Sequence, residues 1–360
     1  MPSTEILESV VPRSIIIGKS ILYKLPSVIH SLGKQPKVLI ITGTHTKSIA
    51  GEPVYSVLSS HKIESEMIVV ENSSLESADI YVDQVKQYEP DILISVGGGG
   101  IIDIGKYCLL KNLHKIELIS IPTATPHDGI ASPFIFLDAP TEKFIGECRP
   151  PVAILADVDI ILQHPDLLRY LAAGVGDTIG KITAIWDWKY AWRIKSEKFS
   201  RFVGGVLENA DTLFQNQVTE ALLDPEHAVQ VVIKALLIAG VLMGTSNDIR
   251  VGYGSEHMIS AALHSETPDT KILHGERIAL STILMAHLQG QNHNHVVEIL
   301  SKAGCPTNLS DLENKISPEA LITALVKAHK INPKMYTILG KTGLTEAAAW
   351  NLATDTGVID

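Results

Sequence analysis

Residues 91–106 read DILISVGGGGIIDIGK, an apolar run that ends in four consecutive glycines and is followed by a second apolar stretch. The first run predicts a buried strand, and the stretch after the glycines predicts a helix. Glycines at such a junction let the backbone approach a ligand closely, and the amides at the helix start favour an anion. The spacing matches neither G-x-G-x-x-G nor a phosphate loop ending in G-K-S or G-K-T. A diphosphate-binding turn and a plain tight turn are therefore both open from this stretch alone.

Strands and helices alternate on both sides of the glycine run. Short strands are predicted for SIIIG (14–18), KVLIITG (37–43), SEMIVVE (65–71), PDILISVGG (90–98) and IELISIPT (116–123). This alternation predicts an α/β fold whose parallel sheet is covered on both faces, which is a Rossmann-like, doubly wound nucleotide-binding pattern. After about residue 160, helical patterns dominate. We therefore predict a dinucleotide-binding α/β domain over residues 1–161 and an all-helical domain over residues 162–360.

The composition narrows the classes of function. The formal net charge is -10 and the sequence shows no basic stripe, which argues against nucleic acid as a partner. We find no apolar stretch that approaches the length of a membrane span and no secretory signal at the N-terminus. The three cysteines, Cys108, Cys148 and Cys305, form no pair motif, which fits a reducing compartment. These features predict a cytoplasmic protein that acts on small molecules.

A second polar loop follows the predicted strand that ends near residue 122. Residues 120–134 read SIPTATPHDGIASPF and include Thr123, Thr125, His127, Asp128 and Ser132. In a parallel sheet, the loops beyond the carboxyl ends of neighbouring strands line the ligand crevice. The glycine run and this loop are therefore expected to form one site, although a simple turn at HDG is also possible.

Three segments of the helical region suggest a metal site. Asp177 lies in AAGVGDTIGK, His257 in GYGSEHMISAAL and His274 in ILHGERIAL, and each histidine has a glutamate close to it in the sequence. One aspartate and two histidines would leave a divalent metal with open coordination positions, which is typical of a catalytic rather than a structural site. Each residue alone could equally be an ordinary core or surface group, so the hypothesis depends on the fold bringing all three together.

With these motifs in view, the chain resembles the iron-containing alcohol dehydrogenase and glycerol dehydrogenase superfamily, which shares its fold with dehydroquinate synthase. Within that group it is most similar to the sn-glycerol-1-phosphate dehydrogenase family. The resemblance covers nearly the whole chain, and its most specific motifs are HDGIASP, GSEH and HGE. It implies reversible reduction of dihydroxyacetone phosphate to sn-glycerol 1-phosphate with NAD or NADP, for the backbone of archaeal-type membrane lipids. It also implies a homo-oligomer.

The resemblance assigns roles to individual residues. It implies cofactor contacts for Gly97, Gly98, Gly99, Gly100, Ile101, Asp103, Thr123, Ala124, Thr125, Pro126 and Ser132. It implies that Asp177, His257 and His274 hold zinc, with ferrous iron as the alternative. Asp128 and Asp177 would contact the substrate, and Asp128 or His127 would relay the proton.

One position departs from the family pattern. A histidine is expected four residues after the first metal histidine, where it would contact the substrate, but Ala261 stands there and His264 follows three positions later. Both residues are kept as candidate substrate contacts. Three alternatives stay open: a dehydrogenase of glycerol or another small polyol, a sugar-phosphate cyclase of the dehydroquinate synthase type, and a non-catalytic binding protein.

Overall fold

The computed structural model describes residues 9–33, 35–112, 116–125, 128–139 and 144–359. The strands are β1 Ser14–Gly18, β2 Val38–Gly43, β3 Ser65–Val70, β4 Ile92–Gly97, β5 Glu117–Pro122, β6 Phe134–Leu137, β7 Phe144–Glu147 and β8 Ala153–Asp157. The first helices are α1 Leu25–Leu32, α2 Glu52–Ser60, α3 Leu75–Tyr88, α4 Gly99–Lys111 and α5 Val158–Ile161. The later helices are α6 Leu167–Ile179, α7 Lys181–Lys195, α8 Arg201–Ala221, α9 Pro225–Ser246, α10 Ser255–Glu266, α11 His274–Leu288, α12 His293–Lys302, α13 Pro318–Lys327 and α14 Glu346–Asp355.

The chain divides into two compact units. The first comprises Met1–Leu167 with Gly240–Asn247, and the second comprises Leu168–Ala239 with Asp248–Asp360. The predicted domain division after residue 161 stays a prediction; residues 240–247, which follow it, return to the first unit. That return is possible because the long helix α9 runs from one unit into the other.

A six-stranded parallel sheet forms the centre of the first unit. Its strand order is β1-β8-β5-β4-β2-β3, and every neighbouring pair is parallel. The strands β2 and β4 are buried along their whole length, which explains their continuous apolar sequences. Because successive side chains alternate between faces, Ile40 and Leu39 belong to different hydrophobic clusters. The predicted α/β class with a parallel sheet is confirmed.

Three strands of the first unit were not predicted from the sequence. The hairpin of β6 and β7 is antiparallel and lies outside the main sheet. The third missed strand, β8, lies between β1 and β5 and is completely buried. Its five residues, AILAD, are too few for periodicity to separate a strand from a helical turn.

Helices make up the second unit, and among the described residues all eight strands fall in the first. The helix α10 packs against α11 and α13, while α11 also packs against α12 and α14. The predicted helical character of the C-terminal part is confirmed.

The helix α9 overturns the expectation that no apolar stretch of the sequence approaches the length of a membrane span. It is 22 residues long and contains an 18-residue window with a mean hydropathy of 2.0, so it is long and apolar enough to cross a membrane. However, 67% of that window is buried inside the protein, as in the core helix of a soluble protein. Its length and composition therefore do not establish a membrane span.

Candidate active site and metal centre

The glycine run forms the turn between β4 and α4. The strand ends at Gly97, Gly98 caps the helix in an extended conformation, and α4 begins at Gly99. A β-carbon added at Gly98 would meet none of the described residues within 4 Å, so these residues leave open space beside the start of the helix. An open backbone surface at a helix N-terminus is the arrangement that accepts a diphosphate. The residues present therefore fit a dinucleotide.

The sheet order places this turn at a topological switch point. The chain leaves β2 towards β3 on one side and leaves β4 towards β5 on the other. Ligands of open α/β sheets bind in the crevice at the carboxyl ends of two such strands. On the β2 side, the amide of Gly43 donates to Oγ1 of Thr46, and Thr46 in turn donates to the carbonyl of Val96 at the end of β4. Thr46 was not identified from the sequence; its position just after a predicted strand was the available clue.

The loop after β5 lies directly beside the glycine run. The amide of Thr123 donates to the carbonyl of Gly97 over 3.1 Å, so the two predicted cofactor loops are held together. Thr125, Asp128 and Ser132 are also buried. The predicted residues Pro126 and His127 lie outside the described part of the chain.

The structure gives Asp103 a different set of contacts from the cofactor role implied by the resemblance. Its Oδ1 accepts a hydrogen bond from Nζ of Lys106 over 3.0 Å, and both side chains are buried. Nζ of Lys106 also donates to the carbonyl of Phe134, and Oδ2 of Asp103 accepts from the amide of Phe136. The hydrogen bonds of this ion pair to Phe134 and Phe136 join α4 to β6, and the cofactor role of Asp103 stays a prediction.

In the second unit, the three predicted metal ligands meet. Asp177 comes from α6, His257 from α10 and His274 is the first residue of α11. Their ligand atoms all lie within 4.8 Å of one another. Oδ1 of Asp177 lies 3.5 Å from Nε2 of His257 and 3.4 Å from Nε2 of His274. That oxygen is buried and forms no hydrogen bond with the described residues, so the donor set fits a divalent cation.

A close helix contact creates this arrangement. A β-carbon on Gly275, the residue after His274, would lie 1.8 Å from the carbonyl oxygen of Ala173. A β-carbon on Gly176 would lie 2.4 Å from the carbonyl oxygen of Gly275. Only glycine permits this approach, which brings the start of α11 against the helix that carries Asp177. The glycines next to the ligands in the sequence therefore have a steric cause.

A buried lysine shapes the electrostatics of the centre. Nζ of Lys181 lies 3.2 Å from Oδ2 of Asp177, and both side chains are buried. Burial alone would raise the pKa of Asp177, but the ammonium group of Lys181 and the two histidines outweigh it and hold that pKa well below its ordinary value. Asp177 is therefore a carboxylate with one oxygen on Lys181 and the other facing the histidines. The i, i+4 spacing of Asp177 and Lys181 was the clue that sequence reasoning left unused.

The two glutamates beside the metal histidines have different partners. Oε1 of Glu256 lies 2.7 Å from Nδ1 of His257. Glu276 instead accepts from the amide of Leu273 at the start of α11 and pairs with Arg169. Burial would lower the pKa of His257, but the carboxylates of Asp177 and Glu256 raise it above its ordinary value.

A network of buried polar groups supports the start of α10. Oδ2 of Asp187 accepts from both the amide and the hydroxyl of Ser255, and Oδ1 accepts from the amide of Ile338. Burial, and then the charge of Glu256, raise the pKa of Asp187 to about 7. The network ties α10 to α7 and to the segment around residue 338.

The two candidate substrate residues of α10 lie beyond His257 on the same helix. Ala261 is one turn further along and His264 is two turns further along, so the three share a face. Their contact with a substrate stays a prediction. The same holds for the roles of Asp128, which lies in the first unit.

Comparisons with known proteins agree with the fold. The family model described as iron-containing alcohol dehydrogenase matches residues 16–165. The crystal structure of a probable glycerol dehydrogenase from Sinorhizobium meliloti 1021 covers 97% of this chain and 98% of its own, with a TM-score of 0.78 and 17% identity. A maleylacetate reductase from Agrobacterium tumefaciens covers 98% of both chains, with a TM-score of 0.73 and 14% identity. The fold is that of the iron-containing alcohol and glycerol dehydrogenases.

Relatives of known name place the chain more narrowly. The glycerol-1-phosphate dehydrogenase (NAD(P)+) of Thermococcus kodakarensis is 39% identical over 348 residues, which are 97% of each chain. The enzyme of the same name from Staphylothermus marinus is 38% identical over 363 residues and is matched along the full length of both chains. The chain belongs to the glycerol-1-phosphate dehydrogenase (NAD(P)+) family, and the protein is an oxidoreductase.

Proposed function

We propose that this enzyme reduces dihydroxyacetone phosphate to sn-glycerol 1-phosphate with NADH or NADPH and a divalent metal. The observation that carries the proposal is the full-length similarity to enzymes named for that activity, at 38–39% identity in the two relatives described above. The cluster of Asp177, His257 and His274 supports it, because a carbonyl reductase of this kind needs an electrophile at the ketone oxygen.

We propose that the first unit is the dinucleotide-binding domain, with a boundary near residue 161, and that the helical unit binds the metal and the substrate. The predicted cofactor contacts comprise the turn from Gly97 to Ile101, the loop from Thr123 to Pro126, Asp103 and Ser132. The open space at Gly98 and the hydrogen bond between Thr123 and Gly97 support this assignment. A bound NAD(P)H supplies the hydride, while the protein supplies orientation and a shielded site.

The metal is proposed to be zinc, with ferrous iron as the alternative. Two imidazoles and one carboxylate suit zinc, and three protein ligands leave a coordination position for the substrate. The same set of two histidines and one carboxylate also occurs in ferrous sites. When bound, the ion acts as a Lewis acid towards the ketone oxygen.

The protein's own groups hold and move the charges of the reaction. The ion pair with Lys181 keeps Asp177 ionised, so its other oxygen, Oδ1, is available to the metal. We place the same carboxylate near the substrate. After the hydride reaches the carbonyl carbon, the oxygen must gain one proton. We propose that Asp128 or His127 relays that proton from solvent, directly or through a water.

The decisive experiment is an NADH-oxidation assay of the zinc-loaded enzyme with dihydroxyacetone phosphate and dihydroxyacetone in parallel. A strong preference for the phosphate, lost on chelation and in His274→Ala, would support the proposal. The matched control is His295→Ala, because His295 is an exposed histidine on α12 and should be dispensable. A product that a 3-phosphate-specific dehydrogenase cannot oxidise would support the 1-phosphate and hence a role in the lipid backbone.

Ala261, which stands where the family has a histidine, favours one second candidate function, a small-polyol dehydrogenase. Equal or higher rates with the unphosphorylated ketone would mean that Ala261 marks a missing phosphate contact and that the enzyme is a small-polyol dehydrogenase. Turnover without net change of NADH would indicate a cyclase, and no turnover at all would indicate a binding protein.

We also propose a cytoplasmic homo-oligomer. The three cysteines are free and buried, which suits a reducing compartment. An exposed apolar stripe on α8, formed by Phe202, Val206 and Leu213, supports self-association. Light scattering of the purified protein tests the oligomer, and a monomer at micromolar concentration would refute it.

A further inference from the structure

The carboxylate of Glu256 is a second buried group, besides Lys181, that contacts a candidate metal ligand. It is completely buried, and its Oε1 lies 2.7 Å from Nδ1 of His257. A carboxylate accepts hydrogen bonds and offers none, so the neutral His257 ring, which is the form that binds a metal, carries its proton on Nδ1. The lone pair of Nε2 is then available, and Nε2 is the atom that faces Asp177.

Two further donors fix the orientation of this carboxylate. The amide of Gly254 donates to Oε1 over 2.8 Å, and the hydroxyl of Thr183 donates to Oε2 over 2.8 Å. Thr183 belongs to α7, the helix that also provides Lys181 for Asp177 and Asp187 for the start of α10. The buried polar side of α7 thus supports two of the three ligand segments.

We propose that Glu256 is a positioning residue for metal binding, which selects the tautomer and fixes the ring orientation of His257, with Thr183 acting through it. The inference builds on the metal site of the proposed function. Carboxylates in this position orient metal-bound histidines and raise their affinity for the metal. Glu276 does not play this role for His274, because it caps α11 and pairs with Arg169.

The test compares the zinc affinities of Glu256→Gln and Glu276→Gln by competition with a chromophoric chelator. Glutamine keeps the volume of Glu256 but carries no charge and has one acceptor oxygen where the carboxylate has two. The hydrogen bond that holds Nδ1 of His257 therefore loses its charge assistance, and the amide group no longer forces the proton onto that nitrogen. The substitution therefore removes charge rather than volume. We expect the Glu256 variant to bind zinc about 10–100-fold more weakly. The Glu276 variant should bind zinc within about twofold of the wild type and show only a lower Tm, because it loses the charge paired with Arg169.

Thr183→Val provides a second, independent arm. It removes the hydroxyl that contacts Glu256 without changing the side-chain volume, so we expect a smaller loss of zinc affinity, on the order of threefold. If Thr183 acts through Glu256, its effect should largely vanish in the double variant with Glu256→Gln. The absorption spectrum of the cobalt-substituted enzyme should change in Glu256→Gln and stay as in the wild type in Glu276→Gln.

The outcomes separate the inference from the proposed function. If the wild type and His257→Ala bind the same amount of zinc, or neither binds any, the proposed metal site is refuted. If the wild type binds zinc at that site, but Glu256→Gln binds it equally well and has an unchanged cobalt spectrum, only the positioning role is wrong. A lower Tm in Glu256→Gln with unchanged zinc affinity would likewise overturn it, because Glu256 would then be purely structural.

Discussion

Replacing Gly275 by alanine tests the steric origin of the metal centre. The new β-carbon would lie 1.8 Å from the carbonyl oxygen of Ala173 and 2.4 Å from its carbonyl carbon. Ordinary non-bonded contacts lie above 3 Å, so the two backbones must separate by roughly 1.5 Å. Both partners are main-chain atoms in packed helices, and a rotamer change cannot relieve the clash.

The expected consequences follow from that displacement. Overpacking of a well-packed interior typically costs about 1–3 kcal/mol, and a contact this short belongs at or above the upper end. Because His274 precedes Gly275 directly, the same movement shifts it away from Asp177. Metal–ligand distances tolerate only about 0.2 Å, so we expect zinc affinity to fall on the order of 100-fold or more.

The assay pairs chelator competition for zinc with thermal unfolding of the metal-free protein. Gly205→Ala is the matched control, because Gly205 lies in α8 and a β-carbon there would meet no atom of the described part of the chain within 4 Å. That control should gain about 0.5–1 kcal/mol from the lower helix cost of alanine and bind zinc as the wild type does. Wild-type zinc affinity and an unchanged Tm in Gly275→Ala would show that the glycine contact does not build the site.

Three further predictions address the cofactor turn and the buried charges. Gly98→Ala should change the free energy of unfolding by less than about 1 kcal/mol but weaken NADPH binding at least roughly tenfold, since its methyl group enters the space in which we propose that the dinucleotide binds. Equal binding by titration calorimetry would contradict that assignment. Burial raises the pKa of Asp211 to about 7, so the folded wild type loses stability as pH rises towards and through that value, where the carboxyl of the unfolded chain is already ionised. Measured by thermal unfolding, Asp211→Asn should gain about 3 kcal/mol of stability relative to the wild type between pH 5 and pH 8. A difference that does not change with pH would count against the raised pKa. Lys106→Met leaves the buried carboxylate of Asp103 without its cationic partner and should lower the free energy of unfolding, measured in denaturant, by about 3–5 kcal/mol. Adding Asp103→Leu should restore much of that loss. A double variant no more stable than the single one would show that the unpaired charge does not cause the loss.

The local pattern of the sequence was sufficient for the outline of the fold. Five of the six strands of the sheet, the helices between them and the helical second half follow from apolar periodicity and glycine punctuation, which are properties of neighbouring residues. The six-stranded order and the central place of β8 do not follow, because the pairing of β8 with β1 and β5 joins segments far apart in the chain.

The ligand types were also readable from the sequence, whereas their partners were not. Asp177, His257 and His274 could be selected because each lies in a polar, glycine-flanked segment with the right donor atom. The sequence places one glutamate next to His257 and another two residues after His274, and nothing local shows that only Glu256 contacts its histidine. That difference depends on where α7 passes, since Thr183 and Lys181 come from a third segment.

The sequence by itself therefore determined five of the six strands of the main sheet, the helical second half, the turn glycines and the chemical identity of the candidate ligands. Only the tertiary structure decided which charges pair and how closely the helices approach, as at the contact of Gly275 with Ala173. The physical reason is the distance along the chain over which each kind of interaction acts. Propensity and periodicity act over a few residues, while packing and electrostatics act between segments that only the folded chain brings together.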